Sequence, residues 1–325
     1  VSFEVTTITP VAPRDIEFLP MCIRYLRGAL TDLNDSNFLR GFVKGWMLRI
    51  IVDGPVRHEE MQPVYKALKE LIIPSEFPIG YQVWGLDKSY GPGIARNYAL
   101  AQCKTFGDDL SRFFSGGNGP VPEIATFLDC DDVPFPWWLR TMLTPFANHQ
   151  VEGKDLVPFV YASILSEQMN PENRRIVRWS MPVVPTGNIL EALERVNPFQ
   201  GSGVATVTSV LQNAGGFEPH LICGEDGNLW RRAANMAVDD MPAMTFYAID
   251  APVIIYRPRP QGQSRGLHKF SEQAFHLDKN VYGPMGQNLD PQAIERGAKF
   301  SQADTVDARI QALCGPVRGD LWKAS

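Results

Sequence analysis

The sequence has no cysteine pair at C-x-x-C spacing. Its five cysteines, Cys22, Cys103, Cys130, Cys223 and Cys314, are scattered and odd in number. That pattern argues against a structural zinc site and for a reduced, cytoplasmic setting. No apolar run approaches the roughly 20 residues that a membrane-spanning helix needs. The opening VSFEVTTITP reads as a strand and lacks the charged-then-apolar order of a secretory signal. Positive charge is not in excess either: 31 Lys and Arg stand against 36 Asp and Glu, a net charge of −5. A surface that is a nucleic-acid footprint throughout is disfavoured, although a local basic patch is not. Neither an internal repeat nor a low-complexity tract is present.

What is present is a globular composition over 325 residues, 44% hydrophobic and 21% charged. Such a chain buries a substantial core without disulfides. The first half alternates short β-like runs with helical patterns. Strands are expected at Phe3 to Thr9, Met47 to Val52, Tyr81 to Trp84 and Ile124 to Leu128. Helices are expected at Phe18 to Leu33, Glu59 to Ile72 and Ile94 to Cys103. This alternation predicts an α/β fold with a mainly parallel central sheet flanked by helices. Ligands of such sheets bind beyond the carboxyl ends of the strands. The polar groups expected there are Thr9-Pro10, Asp53-Gly54-Pro55, the Gly85 to Gly93 segment and Asp129-Cys130-Asp131-Asp132. Later, Leu156 to Tyr161 and Ala251 to Tyr256 read as strands, and Gly227 to Met236 as a helix.

Two acidic groups stand out. In FLDCDDVPFPWW three carboxylates follow a strand. Alternate strand residues point the same way, so Asp129 and Asp131 are expected to face one ligand, with Pro134 and Pro136 stopping the strand. Crowded carboxylates repel one another unless a cation neutralises them. Hard oxygen ligands suit Mg²⁺ or Mn²⁺ shared with substrate phosphates. A solvated acidic turn is the competing reading. In GGFEPHLICGEDGNLWRRAA, Glu225 and Asp226 open a helix. A simple N-terminal cap explains them, and so does a general base projected from a rigid element.

These segments together resemble a family-2-like glycosyltransferase of the GT-A fold. TTITPVAPR is similar to that family's first strand and turn, and IIVDGP to the strand that usually ends in Asp-Asp-Gly-Ser. YGPGIARNYAL matches a Gly-x-x-x-Ala-Arg-Asn helix start, LDCDD the Asp-x-Asp motif, and GGFEPHLICGEDGNLWRRA the Glu-Asp segment. The resemblance implies inverting, metal-dependent transfer of a sugar from a nucleotide diphosphate donor to an acceptor hydroxyl. It implies donor contacts from Pro10, Asp53, Arg96, Asn97 and Asp129. It further implies metal ligation by Asp131 with Asp129 and Asp132, and Asp226 as base with Glu225 beside it. Gln200, Ser202 and Trp230 would lie on the acceptor side. Val52 and Pro55 replace the first Asp and the Ser of Asp-Asp-Gly-Ser, which leaves the nucleobase open, with uridine diphosphate favoured as the family's commonest donor.

The resemblance divides the chain into a catalytic domain over 1–260, with a donor half to about 135 and an acceptor half beyond, and a 261–325 extension. Between Ala251 and Ser271 there is no acidic residue, whereas Arg257, Arg259, Arg265, His268 and Lys269 are present. YRPRPQGQSRG resembles the family's lid over the diphosphate, with Arg257 and Arg265 on phosphate and His268 as an added metal ligand. An exposed basic loop with a solvated His268 is the alternative. With Arg174, Arg175 and Arg178 the same loop would suit a polyanionic acceptor such as DNA bearing hydroxymethylated bases. The acceptor class, whether glycan, lipid-linked, small molecule or modified nucleic acid, stays open. Of Trp137 and Trp138, one is a candidate to stack on a sugar ring, against core packing for both. A sugar-nucleotide pyrophosphorylase is disfavoured because TPVAPRD lacks a glycine, and a non-catalytic nucleotide-sugar-binding protein because both acidic motifs are intact.

Overall fold

A computed structural model describes residues 2–103, 121–151, 157–169, 175–180, 199–219, 221, 224–239 and 244–257. Strand β1 (Phe3–Val11) is a Val/Ile/Thr run, and all but one of its residues are buried. It lies between two parallel neighbours, β2 (Val43–Val52) and β4 (Glu123–Phe127), and β3 (Ile79–Gly85) joins outside β2. Helices α1 (Leu19–Asp35), α2 (His58–Leu71) and α3 (Pro92–Ala101) make the crossovers. The apolar stripe of α1 (Leu19, Cys22, Ile23, Leu26, Ala29, Leu30 and Leu33) follows helical periodicity and is buried. These elements match the expected ones to within a few residues.

The second half adds β5 (Val133–Pro134), α4 (Trp138–Val151), β6 (Val157–Met169) and β7 (Arg175–Ser180). Strand β8 (Val204–Val207), the short helix α5 (Thr208–Asn213), helix α6 (Glu225–Asp239) and strand β9 (Met244–Tyr256) follow. Among the described residues one sheet runs in the order β3-β2-β1-β4-β8-β6-β9-β5, with β7 on β6. The parallel half is as expected, and antiparallel pairings beyond β4 make the sheet as a whole mixed. Strand β8 leaves a turn at Gly201–Gly203 that lies against the carboxyl end of β4, so it runs antiparallel to β4. Pairing with β6 is antiparallel as well, while β6 and β9 are parallel. Pro134 does not simply stop a strand: it sits in β5, opposite Ile254 of β9.

Polar side chains cross the inside of the parallel half. The Thr7 and Thr126 hydroxyls are 2.9 Å apart, and the Trp46 indole N–H donates to Thr7 at 3.0 Å. Arg49 is buried within β2. It donates to Thr6 Oγ1 at 2.8 Å, to the Gln102 carbonyl at 2.8 Å and to Glu123 Oε1 at 3.2 Å. Every arm of the guanidinium is therefore satisfied across three strands and the end of α3. Removing one partner of such a buried pair costs about 3–5 kcal/mol, whereas replacing both with apolar groups can be near neutral. Glu123→Ala is expected to lose that much stability in urea unfolding, and Arg49→Met/Glu123→Leu to recover most of it.

Candidate active site

The carboxyl ends of the four parallel strands set the site. After β2, Asp53 is buried, and its carboxylate accepts three hydrogen bonds from the segment after β3. They come from Ser89 Oγ at 2.9 Å, Tyr90 N–H at 2.7 Å and Gly91 N–H at 2.8 Å. Asp53 thus braces this loop, where a direct nucleotide contact was expected. Pro10 lies inside β1, which continues to Val11, and is buried opposite Ile51. The braced loop delivers Gly91, at φ +97°, and then Pro92 at the first turn of α3. A left-handed φ suits glycine, and proline suits a helix start.

Helix α3 is buried from Gly93 to Leu100, so its polar residues have fixed positions. Arg96 reaches in two directions. Its Nη2 donates to Asp129 Oδ1 at 2.7 Å and its Nη1 to Glu225 Oε1 at 2.7 Å. Burial by itself would lower the guanidinium pKa, but Asp129, Glu225 and Asp226 outweigh it and hold it raised. Asn97 clamps the other motif. Its Nδ2 donates to the Phe217 carbonyl and its Oδ1 accepts the Phe217 N–H, both at 2.7 Å. At Gly216, φ is +72°, and a Cβ there would stand 2.5 Å from Asn97 Oδ1. Arg232 of α6 donates to the Ala214 and Gly216 carbonyls of the same turn. Asn97 therefore braces the turn at Phe217.

Beyond β4 the acidic residues form a turn, closed by the Asp132 N–H on the Asp129 carbonyl at 3.0 Å. The strand alternation expected to align Asp129 and Asp131 does not apply, because β4 ends at Phe127. Asp129 and Asp131 are half-buried and Asp132 is fully buried. Ser202 holds the turn: its Oγ donates to Asp132 Oδ2 at 2.5 Å and accepts the Asp129 N–H at 3.0 Å. Burial, then Asp131 and Asp129, push the Asp132 pKa well up, against Ser202 and the Arg257 backbone N–H. Asp132 Oδ1 is buried without a hydrogen-bond partner. Beneath the turn, the Cys22 thiol of α1 faces the Asp129 carbonyl at 3.9 Å, and burial with the three aspartates raises its pKa. Sequence reasoning missed this contact because Cys22 sits on an ordinary apolar helix stripe.

Opposite the turn, Glu225 is buried and Asp226 half-buried at the start of α6. Asp226 Oδ1 accepts the Gly227 N–H at 2.7 Å. Burial and then Glu225 raise the Asp226 pKa to about 7, against Arg96 and the Gly227 N–H, with Asp129 adding to the rise. Asp129 acts on Asp226 electrostatically, so the two acidic groups converge.

The remaining expectations divide. Ser202, expected on the acceptor side, braces the acidic turn. Trp230 lies one helical turn deeper than Asp226 and is fully buried, edge-on to Phe127, Phe159 and Phe217, so it does not face an acceptor. Gln200 is exposed beside Gly201, whose added Cβ would come 4.0 Å from Arg96 Nη2. Arg257 follows β9 beside Asp132, with Nη1 3.7 Å from Met21 Sδ. Arg174, Arg265 and His268 lie outside the described residues. No group of three His, Cys, Asp or Glu side chains forms a ready-made metal cluster among the described residues. The turn nonetheless fits a hard divalent cation that draws further ligands from a phosphate. It supplies carboxylate oxygens only, and one of them, Asp132 Oδ1, is buried without a partner.

No family model matches the sequence, and no curated protein matches it. Among solved structures the chain is similar to TarS of S. aureus, a glycosyltransferase, with TM-score 0.50 and 13% identity. The similarity covers 93% of this chain and 44% of that one, so the chain spans less than half the length of the TarS chain. The fold is GT-A-like, with a mixed, curled sheet flanked by helices. No helix among the described residues is long and apolar enough to cross a membrane.

Removing Arg96 leaves Asp129 and Glu225 facing one another without their shared cation. Arg96→Met is expected to destabilise by about 3–5 kcal/mol in chemical denaturation. Arg96→Lys restores only part, because an ammonium lacks the planar fork that serves two carboxylates. Arg96→Met/Glu225→Gln loses less than Arg96→Met alone.

Proposed function

We propose that the chain transfers a sugar from a nucleotide diphosphate donor to an acceptor hydroxyl, with inversion. In this reading a divalent cation sits at the acidic turn and Asp226 is the general base. The observation that carries it is the bridge of Arg96 between Asp129 and Glu225, each at 2.7 Å. It brings the acidic turn and the start of α6, which this reading makes cation site and base, to one place. The GT-A-like fold supports the same reading.

Each residue has a task. Asp131, with Asp129 and Asp132, would hold Mn²⁺ or Mg²⁺. When bound, the cation would supply Lewis-acid stabilisation of the negative charge that develops on the departing diphosphate. Arg257, beside Asp132, adds positive charge on the phosphate side. Asp226 accepts the acceptor's hydroxyl proton as that oxygen bonds to the anomeric carbon and the bond to the diphosphate breaks. Glu225, held by Arg96, keeps a second negative charge beside Asp226 and strengthens it as a base. A uridine diphosphate donor is the favoured choice.

The base is competent only when deprotonated. With a pKa of about 7, turnover is expected to rise with pH through that value and to fall below it. Asp226→Asn should reduce turnover about 10²–10⁴-fold and abolish that limb, while donor binding survives. A pH–rate profile on nucleotide-sugar hydrolysis checks both, and near-normal turnover would remove Asp226 from the role. Asp131→Ala should abolish the Mn²⁺ dependence of UDP-sugar binding in titration calorimetry. Unchanged Mn²⁺ dependence would move the cation elsewhere.

A further inference from the structure

The carboxylates of the acidic turn are set in place by one buried hydroxyl, that of Ser202. Its role follows from counting. A serine hydroxyl has one proton to give and lone pairs with which to accept. The Asp129 N–H can only donate, so Ser202 Oγ accepts from it at 3.0 Å. The Ser202 proton is therefore available to Asp132 Oδ2, which it meets at 2.5 Å. The hydroxyl thus ties the first residue of the turn to the last. It also makes the two oxygens of Asp132 unequal: Oδ2 is engaged, and Oδ1 is buried without a hydrogen-bond partner. Ser202 is itself held. In its turn the Gly203 N–H donates to the Gln200 carbonyl at 2.9 Å. A Cβ at Gly203 would stand 3.2 Å from the Ala162 carbonyl oxygen, so the turn lies close on β6. The Trp138 indole N–H donates to the Ser202 carbonyl at 3.2 Å. Trp138 is fully buried in the first turn of α4, and its one polar group serves this oxygen.

We propose that Ser202, held by the Trp138 indole, is a positioning residue for the divalent cation. The proposal rests on the cation reading above and deepens it. The hydroxyl takes one Asp132 oxygen out of use and leaves the other for the ion. Through the Asp129 N–H it also keeps the backbone of the turn closed, so that Asp129, Asp131 and Asp132 stay together in the absence of a cation. Without that tie the three like charges draw apart, and a cation has to gather them again before it is bound. Groups that orient metal ligands in this way are worth about 10–100-fold in metal affinity. Ser202 lies 70 residues beyond Asp132, so cation affinity depends on how the second half of the chain is docked.

The test titrates the full chain with Mn²⁺, alone and with UDP, following the electron paramagnetic resonance signal of free Mn²⁺, with thermal melting alongside. Ser202→Ala is expected to fold and to bind Mn²⁺ about tenfold or more weakly than the wild type. Trp138→Phe keeps an aromatic ring and removes the N–H, and is expected to weaken binding about threefold. Thr7→Val removes a buried hydroxyl from the sheet interior and is the control. It is expected to lower the melting temperature and to keep Mn²⁺ affinity within about twofold. Wild-type affinity in Ser202→Ala would overturn the proposal, and so would an equal loss in Thr7→Val. If Ser202→Ala does not fold, Trp138→Phe decides in the same way. Asp131→Ala separates the proposal from the cation reading. Affinity lost there but kept in Ser202→Ala removes Ser202 and leaves the cation site. Affinity kept there but lost in Ser202→Ala moves the ion to Asp129 and Asp132 and leaves Ser202 its role. No Mn²⁺ bound by the wild type in either condition removes both.

Discussion

Arg96 carries one positive charge into a place where Asp129, Glu225 and Asp226 would otherwise meet unneutralised. A buried guanidinium is expensive to desolvate, and it persists because two carboxylates accept from it at 2.7 Å. Position follows from that arrangement. Asp129 is the first residue of the acidic turn, and Glu225 is the first residue of α6. Fixing both to a side chain of the buried helix α3 fixes the separation between the two functional groups. Arg96 also bears on the acidity of Asp226, because its charge opposes the effects of burial and Glu225 that raise the pKa to about 7.

The rest of the architecture serves this convergence. Asp53 binds the residues that start α3, and so sets the direction in which Arg96 and Asn97 enter. The mixed sheet brings the Gly201–Gly203 turn, and with it Ser202, against the acidic turn. Asn97 and Arg232 hold the Gly215-Gly216-Phe217 turn from opposite sides. Several polar residues that resemble ligand contacts are thus engaged with protein.

Much of this was legible in the sequence. Strands β1 to β4 are Val/Ile/Thr runs closed by Asp, Gly or Pro, and local pattern suffices to place them. Both acidic groups were visible as carboxylates directly after an apolar run and opening a helix; a solvated turn or a cap explains each alone, and their order among the other motifs singled them out. Occupancy was not legible. Asp53 is consumed by donors 36 to 38 residues away, and Ser202 serves a turn 70 to 73 residues away. Trp230 shares a helical face with Asp226, yet one turn of helix carries it from the site into the aromatic core. Periodicity assigns a face but not a depth. The mixed sheet was hidden for a related reason: strand direction after β4 depends on where a distant turn lands.

The clamp of Asn97 on Phe217 joins residues 120 apart in the chain, and the Arg96–Glu225 bond spans 129. Contacts of that separation bear the full entropy of closing a long loop before they return any stabilisation. The Arg96 and Asn97 contacts therefore form only once the segment carrying Phe217 and Glu225 has docked on the parallel half. Until then the acidic turn stands without its counter-charge, and its own repulsion favours an open chain. Completion of the Arg96 bridge and completion of the fold thus become a single event.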